Sequence, residues 1–171
     1  MKKILLSMIA ALCLSVSAFA QAHSDRITLG VGLLYENGLD ATLSWEHETK
    51  YHNAWEFFAN GYIKWTDCES CGHVCPESFW KNYRTWGVGA VYKPCVWRGR
   101  NKHGNLRIGA SVGSNTDKFV GSIHAGYEHN YALRKGWVLY WQAKCDLILP
   151  DREDLFRTGV VIGVKIPTLK N

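Results

Sequence analysis

No stretch of this 171-residue chain has helical spacing, and none reaches the roughly 18 uninterrupted apolar residues of a membrane helix. No run of lysine and arginine is long enough to line a nucleic-acid groove, and direct nucleic-acid binding is not expected. The one small basic patch, WRGRNKHG at 97–104, reads as a solvated turn. There is no P-loop, dinucleotide fingerprint or nucleophile elbow, so the usual sequence signs of a nucleotide or hydrolase enzyme are missing. Linkers, low-complexity segments and a composition shift are also lacking, which leaves no boundary for a second folded domain.

What is present begins with MKKILLSMIAALCLSVSAFAQA. Two lysines, an apolar run from Ile4 to about Val16 and small residues at Ala18 and Ala20 make the three-part layout of a secretory signal. Residues 1–22 are therefore expected to be removed, leaving one domain over 23–171. Losing Lys2 and Lys3 takes 20 basic residues to 18 against 15 acidic ones, a mature net charge of +3 with histidines neutral. Five of the six cysteines remain, an odd number in an oxidising compartment.

Beyond the leader, segments of about ten to thirteen residues alternate apolar with polar and are divided by turn signals. Eight strands are read at 26–35, 39–48, 54–65, 83–93, 105–113, 119–130, 137–149 and 155–166. One face is greasy, with Leu29, Val31, Trp45, Phe57, Trp86, Ile108, Trp141 and Ile162 among its members. The other holds Asp40, Glu46, Glu56, Lys64, Lys93, Arg107, His124, Glu128, Lys144, Asp146, Arg157 and Lys165. An eight-stranded barrel is only just wide enough for side chains to fill. Glycines 30, 32, 87, 89, 109, 113, 126, 159 and 163 all fall on the charged face, whereas the greasy face would overpack so narrow a lumen.

The expected fold is thus all-β: an eight-stranded antiparallel up-and-down transmembrane barrel with a filled polar interior and its apolar face toward outer-membrane lipid. Threading the strands from the periplasm puts Trp45, Trp55, Tyr92, Tyr127 and Trp137 near one rim and Tyr35, Trp65, Phe119 and Phe156 near the other, as interfacial girdles require. About ten tilted residues at roughly 3.3 Å each cross the roughly 25 Å apolar band of such barrels.

TDCESCGHVCPESFW, at 66–80, is the longest connection and lies at the cell-surface end in this threading. Cys68, Cys71, His73 and Cys75 have the makings of a closed tetrahedral zinc site. In an oxidising space a disulfide drawn from Cys68, Cys71, Cys75 and Cys145 comes first, and free or intermolecular thiols are the third reading. No cofactor is expected. Ser122, His124 and Glu128 on one strand invite comparison with lipid-modifying barrel enzymes, but their parity points them into the lumen. There the expected role is an interior network with Lys144 and Arg107, and catalytic residues are expected to be none.

The last strand, LFRTGVVIGVKI at 155–166, resembles the closing strand of the TraO family of conjugative-transposon proteins through Thr158, Gly163 and Lys165. YALRKGWVLYWQAKCDLIL at 131–149 is similar to that family's preceding turn and long strand, and WGVGAVYK at 86–93 to one of its mid-chain strands. The resemblance implies a non-enzymatic accessory barrel of a conjugation apparatus in a Gram-negative outer membrane, with other apparatus proteins as partners. Two alternatives stand beside it: a general structural or surface-interaction barrel, and a lipid A-modifying barrel enzyme.

Overall fold

The computed structural model describes residues 24–35, 37–65, 67–68, 71–73, 83–149 and 155–168; the expected leader at 1–22 lies outside them. Among the described residues the chain is almost entirely strand: β1 Ser24–Leu34, β2 Gly38–Glu48, β3 Ala54–Lys64, β4 Tyr83–Lys93, β5 Cys95–Arg98, β6 Lys102–Ser114, β7 Phe119–Ala132, β8 Val138–Leu149 and β9 Phe156–Pro167. Every neighbouring pair is antiparallel. The β1–β9 and β4–β6 pairings close the sheet into a ring, so that eight staves form a barrel with no free edge along its wall.

β4 and β5 are one stave interrupted at Pro94. Proline has no N–H for the ladder, yet its carbonyl still accepts from the Leu106 N–H at 3.0 Å. Beyond it β5 pairs with β6 through a register irregularity between Cys95 and Trp97. This corrects the expected turn at 97–104: Trp97 and Arg98 are paired strand residues, β6 begins at Lys102, and the turn is confined to the few residues between. The basic composition of that segment hides a hairpin that extends past the wall.

The register fixes the tilt. Following hydrogen-bonded partners from Ile27 round through Trp45, Phe57, Ala90, Ala110, Ile123 and Leu147 reaches Phe156. The β9–β1 register then sets Phe156 against position 37, an offset of 37 − 27 = 10 residues. Ten residues rise about 33 Å, against a circumference of roughly 38 Å for eight strands. The strands therefore lean about 41°, within the range for barrels of this size.

Alternation places the two faces as the sequence requires. Leu33, Ile108 and Ile162 point outward at 73, 60 and 64% exposure, and comparable apolar residues follow on every stave. So continuous an apolar belt would be a single aggregating patch in water; hydrocarbon is its solvent. Inward, Gly163 and Gly30 seat the ring of Tyr140: a Cβ on Gly163 would stand 2.7 Å from that ring. Gly61 faces outward with nothing nearby. The ends of the barrel differ. β1 starts and β9 finishes at the end with three tight turns, whereas the long 65–82 connection leaves from the other.

Candidate functional site

The lumen carries the concentrated chemistry, in stacked layers. The central layer alternates three carboxylates with three cations taken from six staves. Glu46 accepts from Lys93 at 2.5 Å and Lys165 at 2.7 Å. Glu56 accepts both Arg107 Nη1 at 2.7 Å and Nη2 at 3.0 Å, and also pairs with Lys93. Glu128 accepts from Lys93 at 2.8 Å, Arg107 at 2.8 Å and Lys165 at 2.6 Å. The three acid side chains are at most 2% exposed, so each charge depends on its partners instead of water. Glu46, Glu56 and Glu128 offer oxygens within 4.8 Å of one another, the spacing of a metal site, but three ammonium and guanidinium groups already occupy that space.

Toward the tight-turn end, Arg26 and His52 both reach Glu48, the latter at 2.5 Å. The His52 and His103 rings stack with centroids 4.4 Å apart. The Asn105 amide donates to the carbonyls of His52 and Lys93 at 2.7 and 3.1 Å, which ties the turn to the lumen floor.

Toward the long-loop end, β6, β7 and β8 bring Ser111, His124 and Asp146 into line. Ser111 Oγ lies 2.8 Å from His124 Nε2, and His124 Nδ1 lies 2.7 Å from Asp146 Oδ1. Lys144 joins Asp146 at 2.9 Å and also pairs with Asp40. Above them the Arg157 guanidinium lies 3.9 Å over the Tyr62 ring and donates to Thr85 Oγ1 at 2.8 Å. Lys64 is half-buried at the end of β3.

Ser122, His124 and Glu128, weighed in the sequence against lipid-modifying barrel enzymes, point to different partners. His124 turns to Ser111 and Asp146, while Glu128 belongs to the central layer. Sequence parity puts these side chains in the lumen but misses Ser111, because the cross-strand register that brings it to His124 comes from the turn lengths and not from either strand alone. The Ser–His–Asp order resembles a nucleophile, base and orienting acid, yet two small cavities beside it, of about 20 and 10 Å³, hold no more than a water each. A wider concavity of about 790 Å³ lies on the outer wall, where Ala59, Ala90 and Ala110 thin the apolar belt. Ser111 is among the residues that line it, and the Ser111 Oγ is held by His124 on the lumen side.

Of the cysteine loop, residues 67–68 and 71–73 are described. The Gly72 N–H donates to the Cys68 carbonyl at 2.8 Å and the Cys68 N–H to the His73 carbonyl at 3.1 Å, a tight backbone turn. Among the described residues Cys68, Cys71 and His73 form no group with metal-ligand spacing; Cys75 lies outside them. No disulfide joins Cys68, Cys71, Cys95 and Cys145 to one another. Cys145 faces outward on β8, four staves from β3 on the ring of eight, and is not joined to Cys68 or Cys71.

Comparison with known proteins adds to the fold alone. No family model matches the chain, and no curated protein does. A solved structure described as "De novo design of transmembrane beta-barrels" superposes with a TM-score of 0.51 at 12% identity, over 86% of this chain and 98% of that one. A major outer membrane protein from Thermus thermophilus is also similar, with a TM-score of 0.46 at 10% identity, covering 84% of this chain and 98% of its own. The architecture is that of a closed transmembrane β-barrel, and its interior is filled.

Proposed function

We propose that this chain is a non-enzymatic outer-membrane β-barrel that works through its wall and its loops, as an accessory component of a conjugative-transposon transfer apparatus. The observation that supports it most is the pairing of an unbroken apolar exterior with a lumen closed by matched charges. Such a body resides in lipid and passes nothing, so any partner meets it at a rim or a loop. In this reading the tight-turn end faces the periplasm and the long loops face outward. The conjugation assignment is supported by the resemblance at Thr158, Gly163 and Lys165 in the closing strand. Deleting the gene from a donor strain and counting transconjugants tests it. A drop in transfer that the intact gene restores is expected; undiminished transfer leaves only a general envelope barrel.

The Ser111–His124–Asp146 chain favours one second reading, a lipid A-modifying barrel enzyme. Treating the folded barrel with a fluorophosphonate and changing Ser111 to Ala in the cell separates the two. Labelling of Ser111 together with altered lipid A would establish the enzyme, and neither is expected.

A further inference from the structure

We propose that the tight-turn end is a collar for anionic phospholipid headgroups of the leaflet it faces. Six cations stand exposed on its three turns and the strand ends that flank them: Lys50, Arg98, Arg100, Lys102, Arg134 and Lys135. The turns adjoin. The Ala132 N–H donates to the Asn101 carbonyl at 2.8 Å, which sets the last pair beside the middle three, and the Arg98 guanidinium lies 5.1 Å over the Tyr51 ring of the first turn. Among the described residues no carboxylate there is left to neutralise them. Asp25 is taken by His47 at 2.6 Å, and Glu48 by Arg26 and His52.

The membrane side of the collar is aromatic. His129 stacks between Trp97 and Trp141, with centroids 5.4 and 5.8 Å away, and its Nδ1 lies 3.0 Å from Tyr127 Oη. Tyr131 packs on the same ring at 4.7 Å, and Lys102 Nζ sits 5.4 Å over Trp97. Rings of this kind settle at headgroup depth, so the cations just beyond them stand level with lipid phosphates. The connections at the opposite end have the reverse sign, with eight acids against three bases at 35–37, 65–82, 115–118 and 150–155. The charge is therefore assigned to one rim and does not simply follow the net charge of the chain.

The proposal rests on the outer-membrane reading, and its test keeps the two apart. The mature chain is folded in dodecyl maltoside with equal amounts of palmitoyl-oleoyl phosphatidylglycerol and phosphatidylcholine, and retained lipid is counted by native mass spectrometry. Wild type is expected to keep phosphatidylglycerol preferentially, and less of it as ionic strength rises. Each cation at such a surface is worth roughly fivefold in affinity, so R98Q/R100Q/K102Q should weaken phosphatidylglycerol binding at least about tenfold and leave phosphatidylcholine unchanged; K118Q at the opposite end should do nothing. Equal retention of the two lipids by the folded wild type, or a preference insensitive to both salt and the triple substitution, would overturn the collar. Failure of the wild type to fold in detergent would instead overturn the membrane reading.

Discussion

Tyr140 shows how a single residue depends on what its neighbours lack. Its ring lies over Gly163 on the next stave and Gly30 on the one after it, and Lys165 Nζ sits 5.4 Å above it. A methyl group at Gly163 would meet the ring and the Leu29 carbonyl together, so the space is needed. The same change at Gly61 meets only lipid. Gly163→Ala is therefore expected to lower the denaturant midpoint of the detergent-folded barrel or prevent folding, and Gly61→Ala to leave it within about 0.5 kcal/mol, the range of ordinary surface changes. Equal effects would place the two glycines on equivalent faces. Glu128, with three cations around it, is the other extreme. Removing one charge from a buried ionic cluster costs about 3–5 kcal/mol because the partners stay buried. Glu128→Gln should show a loss of that order in equilibrium unfolding, while Ser111→Ala, one neutral hydrogen bond, should cost about 1 kcal/mol.

Among elements, the two five-residue turns at 49–53 and 133–137 are built alike. In each, the first N–H donates to the last carbonyl at 2.7 Å, and the penultimate residue has positive φ. The second turn puts glycine there, Gly136 at φ +81°; the first uses His52 at +62°. A non-glycine residue in that region costs about 1–2 kcal/mol. His52 offsets it with its contacts to Glu48 and His103. Gly136 has no such contacts to offer a replacement side chain, and Gly136→Ala should lower stability by that amount in guanidinium titration. The strands themselves are legible from period alone, and their parity places every charged residue of the central layer correctly in the lumen. What period does not carry is how one strand slides against the next. For that reason it does not bring Ser111 to His124, it does not show that Cys145 stands four staves from β3, and it stops at Pro94 although the strand resumes beyond.

At the scale of the whole molecule, a slim cylinder has its bore filled by ionic layers, and the two sides of its wall have exchanged the solvents of a water-soluble protein. Planar-bilayer recordings of the reconstituted barrel are expected to show no unitary steps; reproducible steps would mean that the ionic layers part. The inside-out arrangement itself is tested most directly by tryptophan fluorescence in vesicles. Trp45, Trp55, Trp86, Trp97, Trp137 and Trp141 all lie on the outer face. Phospholipids brominated along their acyl chains should quench most of the emission, and aqueous iodide little of it. Emission untouched by the brominated chains would contradict a barrel that turns its apolar face to lipid.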